Sequence, residues 1–217
     1  MKTIVILGHY TPFNSPLSVG DLKKEHRFEE IWCMNDWYMF YPNIKRPDYV
    51  FQIHDDFKGL PPETGRWLGD WKKIYNDSGA KIIVTTPCPD IPNASIINRG
   101  DLKFNKKIQL ASAVNIMFAY MLKYRIDVKR VILRNFHLLT AGEYANQFPY
   151  FFQAIEELQK IGIVVDSPMM ELWQDKAVYV DFANLKEVDV LYGEKITGKI
   201  TVDIKNDKVQ INTEVKL

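Results

Sequence analysis

Cysteine is nearly missing from this chain: Cys33 and Cys88 are the only two in 217 residues, and neither stands in a CxxC or Cys/His ligand spacing. That excludes a disulfide scaffold and a structural zinc site, and it points to reduced thiols in a cytoplasmic protein. Long hydrophobic runs are also lacking. No segment approaches the roughly 20 apolar residues that span a bilayer. The first apolar run, Ile4 to Leu7, feeds straight into a loop, so it reads as a buried strand rather than a signal peptide. Nor does charge of one sign dominate: 28 Lys and Arg against 27 Asp and Glu leave a net charge of +1. No global field draws the chain to nucleic acid or to an anionic membrane. The local cluster Lys103, Lys106 and Lys107 reads as a basic patch or, more simply, as a solvated helix start. Phosphate-loop lysine, GxGxxG, GxSxG, HExxH and a Ser-His-Asp order are all missing, which leaves ATPase, dinucleotide, hydrolase and metalloprotease readings without support. Internal repeats and low-complexity segments are lacking as well.

What is present is an alternation. Short runs rich in Val and Ile recur at 3–7, 30–34, 49–53, 81–85, 130–134 and 162–165. They are nearly continuous, as strands covered on both faces of a parallel sheet are. Helical segments separate them. Pro61-Pro62 followed by Glu63 to Asn76 reads as a helix with proline in its first turn and Gly79 just past its end. Lys107 to Lys123 is apolar almost all round from Leu110, which predicts a buried helix. Pro149 to Lys160 reads as a helix with a proline at its start, and it stops at Gly162. The pattern predicts a Rossmann-like, doubly wound α/β fold with a mainly parallel sheet over 1–180. From about Glu187 the period becomes two. Ile200, Val202 and Ile204, then Val209, Ile211, Val215 and Leu217, flank the turn Lys205-Asn206-Asp207-Lys208, which predicts a C-terminal β-hairpin extension within 181–217. Its exposed edge suggests a homo-oligomer formed by strand pairing.

In an open α/β sheet, ligands bind outside the carboxyl ends of the strands, so the residues there are the candidates. Gly8 ends the first strand and lets a ligand approach the backbone closely; a plain strand-to-helix turn is the competing reading. Asn35 ends the second, where its amide suits a base edge or a sugar hydroxyl, or else an Asx turn or helix cap with Asp36. His54-Asp55-Asp56 follows the third, as a general base, a divalent-metal site or simply a polar loop. Ser112 and Asn115 interrupt the buried helix that follows the loop Arg99-Gly100-Asp101. Arg134-Asn135-Phe136-His137 closes the fifth run with a cation, an amide and an imidazole on one rim. Arg134 suits a phosphate, or pairs with Glu143.

Four segments resemble the sialyltransferase-like Rossmann proteins, the small soluble bacterial sialyltransferases and their bacteriophage relatives. They are Ile4 to Pro12, Ile31 to Tyr38, Ser112 to Tyr124, and Val131 to Gln147 with Gly162 to Leu172. They cover roughly 1–175 and leave the tail unmatched. The departures are His9 and Tyr10 in place of Asn and Gly in the first loop, Asn135 in place of glycine, and His137 in place of an acidic residue. The resemblance implies a metal-independent glycosyltransferase that takes a nucleotide sugar, CMP- or UDP-linked, and an acceptor. In that reading Gly8, Thr11 and Asn35 lie against the nucleotide, and Ser112, Arg134 and Asn135 line its phosphate or sugar side. His54 or His137 takes the acceptor's proton. The alternatives are a non-catalytic phage or accessory protein that keeps the fold, and a Mg²⁺-dependent phosphotransferase of the pterin pyrophosphokinase type that uses Asp55 and Asp56.

Overall fold

The computed structural model describes residues 1–11, 13–54, 70–104, 108–110, 112–136 and 148–166, and the strands between 187 and 215. Seven strands form a sheet that is parallel throughout: β1 (Lys2–Leu7), β2 (Glu30–Met34), β3 (Tyr49–Gln52), β4 (Lys81–Val84), β5 (Ser95–Ile96), β6 (Val128–Arg134) and β7 (Val164–Asp166). Their spatial order is β5-β4-β3-β2-β1-β6-β7. The chain therefore builds outward from β1 in one direction as far as β5, then returns to place β6 on the other side of β1.

The helices divide between the two faces. Val5, Leu7, Ile31, Cys33, Val50, Ile82, Val84 and Ile132 turn one way, into a core with Leu22 of α1 (Val19–Glu25), Trp37 of α2 (Trp37–Phe40), and Trp71 and Tyr75 of α3 (Trp71–Asp77). On the opposite face, Trp32 and Phe51 meet Tyr120 of α4 (Ala113–Tyr124) edge-on at 6.1 and 5.2 Å. Phe118 of α4 in turn stacks on Phe151 of α5 (Phe148–Lys160) at 6.1 Å. Alternate residues of each strand feed opposite cores, which is why the runs are apolar without a break.

Two helices differ from the sequence reading, and a third is described only in part. The helix expected from Lys107 begins at Ala113, because the Ser112 hydroxyl accepts the Asn115 N–H (3.2 Å) and caps it there. Of the helix expected over 63–76, residues 63–69 lie outside the described residues and α3 supplies the rest. α1 was not expected. It is capped by a Ser18–Asp21 box, in which Asp21 N–H bonds the Ser18 hydroxyl and the Asp21 carboxylate bonds Ser18 N–H, each at 3.2 Å.

The amino end of the sheet is tied by a compact ionic knot. Arg125, which ends α4, grips Glu30 at the start of β2 with two bonds of 2.8 and 2.9 Å, and holds Asp127 with two more of 2.9 Å. Lys2 (2.6 Å) and the Trp32 indole (3.0 Å) complete the shell around Glu30. Burial pushes the Glu30 carboxyl up, but the bonds from Arg125, Lys2 and Trp32 outweigh it and hold the group at about 2. Arg125 and Lys2 are shifted upward in turn.

The chain divides into two compact units, Met1–Glu171 and Leu172–Leu217, where the sequence suggested a division near 180. In the second, β8 (Glu187–Tyr192), β9 (Lys195–Lys205) and β10 (Lys208–Val215) form an antiparallel sheet in the order β10-β9-β8. The expected hairpin is β9–β10, and β8 adds a third strand. Among the described residues, no helix is long and apolar enough to cross a membrane.

Candidate functional site

β1 and β6 lie side by side, yet the helices that follow them, α1 and α5, cover opposite faces of the sheet. Such a parting of the chain outside the carboxyl ends is where doubly wound sheets bind their ligands. Gly8 stands at this point, directly after β1. A Cβ there would stand 2.5 Å from the Asn135 carbonyl oxygen and 3.0 Å from both the carbonyl carbon and the Phe136 ring. Backbone cannot yield as a flexible side chain does. The bareness of Gly8 therefore serves the close approach of two loops as well as any ligand.

Strands β2 and β6 flank β1, and each ends in an asparagine with positive φ: Asn35 at 44° and Asn135 at 57°. Asparagine tolerates this left-handed region better than most residues. The turn at Asn35 is fixed from both sides. Its N–H donates to the Phe51 carbonyl (2.9 Å), and its carbonyl accepts the Tyr75 hydroxyl (2.5 Å). The Asn135 carbonyl accepts Tyr10 N–H, and the Arg134 carbonyl accepts Gly8 N–H, both at 2.8 Å. The Asn135 amide donates to the Tyr41 hydroxyl (3.0 Å), which donates to the Gly8 carbonyl. Burial pushes the Tyr41 phenol upward, so it stays a donor at neutral pH. Gly8, Asn135 and Tyr41 thus form one rigid unit.

His9 and Tyr10, the residues that depart from the resembled loop, have defined places. The His9 ring stacks on Phe40 (4.1 Å, 14° between planes), with Nε2 3.1 Å from the Met34 carbonyl and Nδ1 3.8 Å from the buried Asp36 carboxylate. Phe13 lies tilted against Phe40 at 4.8 Å, and both Tyr10 and Phe13 stay more than half exposed. Thr11 N–H donates to the His9 carbonyl (2.9 Å).

Gly8, Thr11, Asn35, Arg134 and Asn135 therefore gather around β1 and its two neighbours. Ser112 stands apart, as the cap of α4. His54 follows β3, two strands from β1 or about 10 Å along the rim, and its N–H donates to the Gln52 side chain (2.8 Å). One Arg134 nitrogen lies 3.3 and 3.2 Å from the two Glu25 oxygens at the end of α1. Glu143, the partner suggested by sequence, lies outside the described residues, as do His137, Pro12, Asp55 and Asp56. Among the described residues, no group of three His, Cys, Asp or Glu side chains is placed to hold a metal ion.

Four buried side-chain polar atoms among the described residues lack a hydrogen-bond partner: Asn35 Oδ1, Gln52 Nε2, Asn115 Oδ1 and Arg134 Nε. Asn35 follows the last residue of β2, Gln52 and Arg134 are the last residues of β3 and β6, and Asn115 stands in the first turn of α4. Because α4 runs back from its N-terminus to Arg125 at the amino end of the sheet, its first turn lies toward the carboxyl end. All four orphans thus belong to one end of the sheet. Gln52 and Asn115 are fully buried, and such a group costs about 1–3 kcal/mol unless something satisfies it. Sequence reasoning missed Gln52, although a polar residue closing the run Tyr-Val-Phe was its signal. Nothing local in the sequence marks Tyr41, whose role depends on contacts with residues 33 and 94 positions away.

Comparison with protein-family models, with curated proteins and with solved structures finds no match to this chain.

Proposed function

We propose that the protein is a Rossmann-like, metal-independent glycosyltransferase that uses a nucleotide sugar bound at the carboxyl ends of β1, β2 and β6. The observation that carries this reading is the gathering of all four orphaned polar atoms at that end of the sheet. Two acceptors, an amide donor and a guanidinium N–H are the groups that a nucleotide's base, sugar hydroxyls and phosphates would satisfy. Gly8, Thr11 and Asn35 then face the nucleotide, with Arg134 and Asn135 toward its phosphate or sugar, while Ser112 serves as the α4 cap rather than as a phosphate contact. In the transfer, an acceptor hydroxyl attacks the anomeric carbon as the bond from that carbon to the phosphate oxygen breaks. The nucleotide leaves with the bonding electron pair, and the hydroxyl proton passes to His54 or His137.

A non-catalytic accessory protein that keeps the fold is the second reading. It is favoured by the pairing of Arg134 with Glu25 and by the placing of both His9 ring nitrogens against the protein's own oxygens.

A thermal-shift screen of CMP, UDP, GDP and ATP, with and without Mg²⁺, tests the proposal. Stabilisation by CMP or UDP without metal is expected. A response that requires ATP and Mg²⁺ would point to phosphotransfer, and no response to any nucleotide would sink the proposal. If a nucleotide binds, His54→Ala and His137→Ala separate transfer from binding, because wild-type turnover in both removes the base assignment.

A further inference from the structure

The loop after β1 carries aromatic rings that are rooted in the fold and open to water. Phe40 of α2 packs against the core shared by α1, α2 and α3. His9 and Phe13 both rest on it, at 4.1 and 4.8 Å. The backbone beneath Phe13 is tied down. Asn14 N–H donates to the Met39 carbonyl and Ser15 N–H to the Phe40 carbonyl, both at 2.9 Å. The Asn43 amide holds the Pro16 carbonyl at 3.1 Å. Between these ties Asn14 takes a left-handed turn, φ 57°, which asparagine accepts more readily than most residues. Phe13 is thus fixed at its base while 55 % of it stays exposed. A rigid ring with an open face is a stacking surface for another flat group.

The surroundings say which end of a ligand belongs there. From Gly8 to Gly20 the chain has no Lys, Arg, Asp or Glu, so this loop offers ring faces and neutral hydrogen-bonding groups but no cation for a phosphate. Tyr10 N–H is held by the Asn135 carbonyl, so the loop begins beside β6, and Phe13 ends it against α2, which follows β2. Two strand spacings, about 10 Å, separate β6 from β2, a span that a nucleoside monophosphate bridges. The cation Arg134 stands on the β6 side. Asn35, whose Oδ1 is one of the orphaned acceptors, stands two residues before α2 on the other. We propose that Phe13 is the platform on which the base of the bound nucleotide stacks, with the phosphate lying toward Arg134. This rests on the nucleotide reading of the site and gives the ligand a direction across it. Every base has a π face, so the ring supplies affinity without choosing among bases; the choice falls to groups at the base edge such as Asn35.

Calorimetric titration of the full chain with CMP, UMP and ribose 5-phosphate tests the platform. At least one of the nucleotides binds, and ribose 5-phosphate, which lacks the base, binds weaker by about tenfold or more. Phe13→Ala lowers nucleotide affinity by a similar factor and leaves ribose 5-phosphate unaffected. Phe13→Leu keeps apolar bulk without a π face and behaves as Phe13→Ala does, whereas Phe13→Trp keeps or raises the affinity. The position is exposed, so the melting temperature is unchanged in all three variants. Nucleotide affinity that survives Phe13→Ala, wild-type affinity in Phe13→Leu, or ribose 5-phosphate binding as tightly as the nucleotides overturns the platform and leaves the nucleotide reading standing. If neither monophosphate binds, the platform falls, and the nucleotide reading falls with it unless UDP still stabilises the chain.

Discussion

The two ends of the seven-stranded sheet are built on opposite rules. At the amino end Glu30, Arg125, Asp127 and Lys2 are charged and crowded, and they satisfy one another through bonds of 2.6–2.9 Å. At the carboxyl end the buried groups are mostly neutral, and among the described residues four of their polar atoms have no partner. Polar groups that satisfy one another hold the fold in shape. Polar groups held in place but left unsatisfied are set to receive something. The same strands carry both ends, so the rigidity of the first is transmitted to the geometry of the second.

The largest expected effect lies at the amino end. Arg125→Ala leaves Glu30 buried without its principal partner and costs about 3–5 kcal/mol, read as a lower urea midpoint. If the comparison holds, nucleotide binding to the folded fraction is unchanged. Acid attacks the same knot. The Glu30 carboxyl titrates at about 2 in the folded protein against an ordinary 4.5, so its contribution is complete above pH 4.5 and is lost as pH falls from there toward 2. That amounts to roughly 3 kcal/mol, and Asp127, also held at about 2 by Arg125, adds to the loss over the same window. Stability curves measured from pH 6 to 2 check it, and a flat profile would show the knot to be ornamental.

Next comes Gly8→Ala, whose Cβ meets the Asn135 carbonyl oxygen. Forcing the two loops apart costs about 1–3 kcal/mol and, unlike Arg125→Ala, weakens nucleotide binding in the molecules that fold. The smallest effect has the opposite sign. Asn115→Leu removes a fully buried orphan acceptor while keeping similar volume, and the exposed Gln109 residue that loses its Asn115 donor can turn its carbonyl to water. We expect stability to rise by about 1 kcal/mol and ligand affinity to fall. A loss of stability in Asn115→Leu would erase the distinction between the two ends.

Much of this was legible in the sequence, for physical reasons. Runs such as Ile4 to Leu7 and Ile82 to Val84 announce themselves because strands buried on both faces must be apolar at every position. Ser95–Ile96 does not, since both residues are exposed and the strand is only two residues long. α1 escaped notice because only Leu22 of its seven residues is buried, although Ser18 and Asp21 spell a capping box. At the site, Gly8, Asn35 and Asn135 were found as ligand candidates from their strand-end positions. Their backbone work, a close approach and two left-handed turns, was not visible, because each depends on what a neighbouring strand does. The ionic knot was illegible for the same reason: Arg125 meets Glu30 across 95 residues.

The place of β1 between β2 and β6 also governs when the site can exist. Lys2 pairs with Val128, so more than half of the chain must leave the ribosome before the first strand gains its second neighbour. Until then β1 can pair with β2 alone, and Gly8 has no Asn135 to lean against. Non-local pairing of this kind closes slowly, and the interval exposes a bare strand edge to other chains. The site is among the last features to be assembled during synthesis, and a nascent chain released before residue 135 has only part of it.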